Sequence, residues 1–261
     1  MQHQAGAPIL VLSPHLDDAV LSAWGILSSP GPVAVLNVFA GVPDRGPVPR
    51  WDRMCGAEDV RVHMRARIEE DRAALALAGR TPACLDFLDG HYRDDALDPG
   101  RLRDAIAAAV PTASLIYAPA GIGLHRDHLA VRDAAFELGL RGEIPLRLYA
   151  DLPYAVRFGW PSWVTREPAD PALRVDADWD AALTTVPVDR PALRASPRRL
   201  DEAQAAAKLG ALRRYRTQFA ALNHGPVGLL EHPLVLPYEV EFAAWSPTSA
   251  RSSGAAIAAQ S

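Results

Sequence analysis

Short apolar runs rich in branched residues alternate with stretches of helical spacing through the first 150 residues, and very few architectures accept that order. Ile9–Ser13 (ILVLS) and Val33–Phe39 (VAVLNVF) read as strands, with a helix over Ala19–Ser28 between them, which makes a βαβ unit. Glu58–Ala78 reads as a long charged helix. Its inner face would carry Val62, Leu75 and Ala78, and its solvated face Arg61, Arg65, Arg67, Glu69, Glu70 and Asp71. A strand at Cys84–Leu88, a helix at Leu102–Val110, a strand at Ser114–Ala118, a helix at Asp127–Leu138 and a strand at Leu146–Tyr149 follow. This alternation predicts an α/β fold: a Rossmann-like, doubly wound, mostly parallel sheet of order 3-2-1-4-5 with helices on both faces.

The alternation stops after Asp151. Pro153, Pro161, Pro168, Pro171, Pro187 and Pro191, with Trp160, Trp163 and Trp179, predict an excursion of loops and short strands over 151–195 that would form a rim or lid. Ser196-Pro197 suits the cap and first turn of a helix running to about Leu222, where Asn223-His224-Gly225 would end it. Leu234–Trp245 reads as one more strand or extended pass. Residues 1–245 are expected to form one domain, followed by a small, polar, disordered tail over 246–261.

Composition removes several classes of function. The net charge of -4 carries no electrostatic footprint for nucleic acid or anionic membrane. Two cysteines, Cys55 and Cys84, make neither a disulfide scaffold nor a thiolate zinc site, so a metal would have to sit on His, Asp or Glu. The only lysine, Lys208, lies in an alanine-rich helical stretch, which leaves P-loop and Schiff-base chemistry almost nothing to work with. Met1–Ala7 has no basic residue before the first apolar run and no stretch reaches about 20 apolar residues, so the expectation is a cytoplasmic protein without signal peptide or membrane span.

The chemistry-bearing residues fall in two places. The first strand ends in Ser13-Pro14-His15-Leu16-Asp17-Asp18, and the fourth ends in a glycine-loosened turn leading to His125-Arg126-Asp127-His128. Adjacent carboxylates repel, so Asp17 and Asp18 either cap the helix beginning near Ala19 or surround a cation. In a sheet of order 3-2-1-4-5 the ends of strands one and four are neighbours at the point where strand order reverses. The two clusters would then face each other across one crevice.

His15-Leu16-Asp17-Asp18 together with His125-Arg126-Asp127-His128 resembles the paired motifs of the PIG-L (LmbE-like) de-N-acetylases, His-Pro-Asp-Asp with His-x-Asp-His. The similarity extends to Arg67-x-x-Glu70, Tyr92-Arg93-Asp94, and Lys208 with Tyr215 and Gln218. Leu16 stands where the family usually has proline. The resemblance implies a hydrolase that removes an N-acetyl group from an amino sugar or related small amide. It implies His15, Asp18 and His128 as ligands of Zn²⁺ (or Fe²⁺ or another divalent ion), Asp17 as general base, and His125 as the group that polarises the carbonyl. Asp127 would hold an imidazole or cap its helix. Arg67, Arg93 and Asp94, with Trp51 and Asp52 in the loop after strand two, are the candidate substrate-binding residues, for an N-acetylated small molecule. The same two histidines and one carboxylate also suit a non-haem iron oxygenase, and a non-catalytic metal- or sugar-binding module is a third reading. Composition and motifs leave oligomeric state open.

Overall fold

The computed structural model describes residues 6–168, 172–188, 192–224 and 228–247. The first half of the chain runs β1 (Ile9–Ser13), α1 (Asp18–Ser22), α2 (Trp24–Leu27), β2 (Val33–Asn37), α3 (Arg50–Met54), α4 (Val60–Ala76), β3 (Pro82–Cys84), α5 (Pro99–Ala109) and β4 (Leu115–Pro119). It continues through α6 (Arg126–Gly142), β5 (Leu146–Tyr149), α7 (Ser162–Thr165), α8 (Val175–Leu183), β6 (Arg194–Arg199), α9 (Glu202–Leu212), α10 (Phe219–Leu222) and β7 (Tyr238–Trp245).

The strands form one sheet of order β3-β2-β1-β4-β5-β7-β6. β1 pairs in parallel with both β2 and β4, so the chain winds outward from β1 in one direction and then, from β4, in the other. Ser13 is level with Asn37, and the loops carrying the two histidine clusters leave the sheet side by side at its carboxyl edge. Leu10, Val11 and Leu12 are buried with Val35, Leu36, Ile116 and Ala118, because a parallel sheet covered on both faces has no solvated side. Two strands extend the order of five: β7, within the Leu234–Trp245 stretch read as one more strand or extended pass, pairs antiparallel with β5, and β6, which was not expected, closes the edge against β7.

Several boundaries differ from the sequence expectation. The helix expected over Ala19–Ser28 is two pieces, broken at Ala23 where the backbone leaves helical geometry. Ser196-Pro197 lies inside β6 and opens no helix: Pro197, which has no N–H to give a ladder, sits on the edge strand where that lack is tolerated. The helix starts instead after Asp201, whose side chain accepts from the Gln204 N–H while the Gln204 side chain reaches back, a capping box. It stops at Leu212, and the short α10 follows separately. Within the excursion, Trp160 is buried 5.8 Å from Trp179, whereas Trp163 packs edge-on against Trp179 and stays 42% exposed. Of the expected tail, residues 248–261 lie outside the described residues.

On α4 the expected faces hold only in part: Leu75 is buried and Arg65 and Glu69 are exposed as expected, while Val62 and three of the charged residues change sides. Val62 is 67% exposed, and Arg67, Glu70 and Asp71 are buried beside Met64, Ala74 and Leu75. Partners for these charges come from the far end of the chain: Tyr215 donates to Asp71 Oδ1 at 2.8 Å and Thr217 Oγ1 to Glu70 Oε2 at 2.7 Å. Lys208 is equally buried. Its Nζ donates to Glu239 Oε1 at 2.9 Å, and the same carboxylate accepts the Trp24 and Gly25 N–H groups that open α2. Removing one member of such a pair strands the other, so Lys208→Met is expected to lower unfolding free energy by about 3–5 kcal/mol. Urea unfolding followed by circular dichroism checks this, and a change within experimental error would show that the Trp24 and Gly25 N–H groups satisfy Glu239 unaided.

Candidate metal centre and active-site cleft

The loop after β1 is held by Ser13, whose hydroxyl donates to His15 O at 2.6 Å and accepts from Ala19 N at 2.9 Å. That clamp turns His15, Asp17 and Asp18 over the sheet edge. Leu16, at the position of the family's proline, is buried with Ala40 and Met64, so packing holds the loop where a ring would otherwise stiffen it.

One carboxylate oxygen is the focus of the site. Asp18 Oδ2 lies 3.3 Å from His15 Nδ1 and 3.2 Å from His128 Nε2, and accepts the His15 backbone N–H at 2.8 Å. His128 Nε2 is buried without a hydrogen-bond partner among the described residues, although it stands this close to a carboxylate. Each outer ring nitrogen is held from behind: His15 Nε2 is 3.1 Å from Asp127 Oδ2, and His128 Nδ1 is 2.6 Å from Asp151 Oδ1. Imidazole nitrogens facing one carboxylate oxygen, each ring backed by a further carboxylate, are donors of the kind a divalent cation of nitrogen and oxygen preference takes. Ligand atoms of His15, His125 and His128 also lie within 4.8 Å of one another.

Electrostatics follow from this crowding. Burial pushes the Asp18 carboxyl up, but the His128 and His15 imidazoles outweigh it and hold it well below the usual carboxylate range. His128 moves up to about 9, because Asp18 and Asp151 together overcome the burial that lowers it. Asp17 is raised, first by burial and then by its neighbour Asp18, with Arg67 and His15 opposing. His125 moves down to about 4 through burial and the positive His15 and His128. A neutral His125 has a defined tautomer here: Nδ1 accepts the Asp127 N–H at 3.3 Å as the cap of α6, which leaves the proton on Nε2.

A cleft of about 410 Å³ opens over these groups, and His15, Asp17, Asp18 and His125 line it. Of the candidate substrate-binding residues, Arg67 and Trp51 line it too. Arg67 is buried, with Nη1 4.0 Å from Asp89 Oδ2 and Nε unpartnered among the described residues. Trp51 donates to Gln218 Oε1 at 2.8 Å, and Gln218 Nε2 lies 3.1 Å from His63 Nε2. The other three candidates are elsewhere. Arg93 lies over the Phe39 ring at 4.8 Å and binds Asp127, the carboxylate behind His15. Asp52 is buried against the Tyr92 hydroxyl, and Asp94 is exposed outside the lining.

Asp89, His91, Asp151 and Tyr154 have no motif to announce them. Asp89 lies 3.6 Å from His15 Nε2, His91 lines the cleft beside it, and the Tyr154 ring packs 6.0 Å from that of His125 and 5.5 Å from that of His128. Asp89 and Asp151 each follow a strand at the carboxyl edge, and that position was the available signal.

A doubly wound α/β sheet with a histidine–aspartate cluster over its switch point is the class these features define. The sequence profile of PIG-L, described as GlcNAc-PI de-N-acetylase, matches residues 10–138. The 2'-N-acetylparomamine deacetylase of Streptomyces fradiae is 34% identical over 169 residues, 56% of this chain and 57% of that protein, so this chain spans little more than half of that relative's length. The antimicrobial reagent A40926 pseudoaglycone deacetylase is 30% identical, with 91% of this chain and 97% of that one covered at a TM-score of 0.66. The zinc inhibited form of teicoplanin deacetylase is 26% identical, covering 90% and 97% at a TM-score of 0.64. The chain belongs to the PIG-L (LmbE-like) de-N-acetylase family.

Proposed function

We propose that the protein is a metal-dependent hydrolase that removes the N-acetyl group from an amino sugar or a related small amide. The observation that carries this reading is the convergence of His15 Nδ1 and His128 Nε2 on Asp18 Oδ2 in a cleft also lined by Asp17 and His125. All three relatives are named as deacetylases, which supports the reaction type.

His15, Asp18 and His128 would hold the cation, Zn²⁺ in this reading. Asp18 completes the set in preference to His125 because its Oδ2 already faces both inner nitrogens, while His125 Nδ1 is engaged in capping α6. When bound, the cation supplies a Lewis acid that makes water nucleophilic near neutral pH. Asp17, unligated beside Asp18, takes a proton from the water as its oxygen bonds to the carbonyl carbon. The same carboxyl returns that proton to the nitrogen as the C–N bond breaks, leaving acetate and a free amine. His125 Nε2–H donates to the carbonyl oxygen as negative charge grows on it. Arg67 and the Trp51 indole offer a hydrogen-bond donor and an apolar face for the sugar.

The test is release of primary amine from N-acetylglucosamine and its simple glycosides. A chelator is expected to abolish release, and a stoichiometric divalent cation to restore it. Since one relative is described as zinc inhibited, zinc is titrated alongside Fe²⁺ and Co²⁺. Release that survives complete chelation would refute metal dependence.

A further inference from the structure

Trp51 lines the cleft with an indole that can only donate, and the amide it meets is fixed by that: Gln218 Oε1 accepts from Trp51 Nε1 at 2.8 Å. Gln218 is buried and stands at the start of α10, yet its side chain caps nothing. Its Nε2 is left facing two acceptors, His63 Nε2 at 3.1 Å and Thr217 Oγ1 at 3.4 Å. Thr217 gives its own proton to Glu70 Oε2 at 2.7 Å, so its oxygen is free to accept. His63 has to accept as well. It does so at Nε2 only while the ring is neutral and its proton sits on Nδ1.

The same His63 nitrogen has a second partner in reach. Asp52 Oδ1, on α3, stands 3.7 Å from His63 Nε2, and the other oxygen of that carboxylate is taken by the Tyr92 hydroxyl. A charged His63 carries a proton on Nε2, which opposes the Gln218 amide hydrogens and suits Asp52. To stay bonded to a charged ring, Gln218 would have to turn its amide over, which sets N–H against the N–H of Trp51. The groups that face His63 are Asp52 from α3 and, from its own helix, Arg67 and Glu70. Burial leads and Arg67 adds to it; together they outweigh Asp52 and Glu70, so the proton affinity of His63 lies below the usual imidazole value.

We infer that His63 is a positioning residue with two settings: neutral, it holds Gln218 and through it the Trp51 indole at the cleft wall; protonated, it turns to Asp52 and lets the indole go, so sugar binding weakens in acid. Trp51 and Asp52 are neighbours on α3, so the exchange replaces one hold on that helix by another and frees the indole without undocking the helix. One nitrogen that either accepts from Gln218 or donates to Asp52 is a contact with two discrete states, and the proton selects between them. The use of Trp51 as a face for the sugar rests on the deacetylase reading above, whereas the coupling of His63 to Trp51 does not.

The experiment follows the indole N–H signals of the zinc-loaded, ¹⁵N-labelled protein by NMR from about pH 8 to about pH 5. The Trp51 signal is the one missing from Trp51→Phe. It is expected to move through a single transition below about pH 6.5, the ordinary imidazole value. His63→Gln should abolish that transition, because its amide oxygen accepts from Gln218 and takes no proton. Asp52→Asn should move the transition to lower pH, since it removes the carboxylate that favours the charged ring. On the same samples, KM for the methyl glycoside of N-acetylglucosamine should rise about three- to tenfold through the transition, the effect of one lost hydrogen bond, and stay flat in His63→Gln. The acid fall in kcat, set by Asp17 and the metal ligands, should be common to both proteins. A Trp51 signal that stays still, or that moves as much in His63→Gln, would overturn the coupling. A signal that titrates while KM stays flat would overturn the link to sugar binding. Absence of turnover at every pH would overturn the deacetylase reading and that link with it, while the indole titration decides the coupling without substrate.

Discussion

Asp18→Ala is expected to strip the protein of its divalent cation at neutral pH and to abolish amine release with it. Asp18 Oδ2 is the atom that both inner imidazole nitrogens face, at 3.3 and 3.2 Å, and without it only His15 and His128 remain of the proposed ligands. A competition titration against a chromophoric chelator should show metal affinity falling by more than about 100-fold, the upper end of what changes outside the coordination shell produce. Asp151→Asn provides the scale, since Asp151 Oδ1 touches only the far nitrogen of His128 and its loss should weaken the metal by about 10- to 100-fold. If Asp18→Ala bound metal as tightly as the unaltered protein, the assignment of this carboxylate would fail and the three-histidine alternative of His15, His125 and His128 would take its place.

Asp17→Asn should behave in the opposite way. An amide has the shape of the carboxylate and cannot take the proton, so metal affinity should stay within about twofold while kcat falls by about 10²- to 10⁴-fold. The two measurements are made on one preparation: chelator competition for the metal, then amine release at saturating substrate. Metal loss in Asp17→Asn comparable to that in Asp18→Ala would show that both carboxylates are ligands, and would remove the proposed base. The raised proton affinity of Asp17, caused by burial and by adjacent Asp18, is the environment a base working near neutral pH needs.

How far the chain was legible depends on the range of the interaction being read. Strands β1, β2 and β4 were visible because most of their residues are buried between helices, which leaves an apolar run in the sequence, and β5 because Leu146, Leu148 and Tyr149 are buried around the exposed Arg147. The edge strand β6 was not: Arg194–Arg199 is exposed throughout, so its identity comes only from the ladder that β7 offers. Helix α4 misled for a related reason. Its charged residues looked like a solvated face, yet Arg67, Glu70 and Asp71 point inward because Tyr215 and Thr217, more than 140 positions later, bring hydroxyls to two of them.

The same division runs through the site. The sequence alone determined the two clusters and their meeting place, since His15, Asp17 and Asp18 share one strand end, His125 and His128 are one helical turn apart, and the winding of a parallel sheet makes those ends neighbours. Only the tertiary structure decided which groups stand behind the histidines, Asp127 for His15 and Asp151 for His128. It also decided that Arg93 serves Asp127 while Asp94 faces solvent, and that Asp89 enters the cleft. The physical reason is that a lone carboxylate at a strand end has no local pattern. Its role is set by which charge or N–H the folded chain brings within about 3 Å, and that choice belongs to side chains more than 20 positions apart.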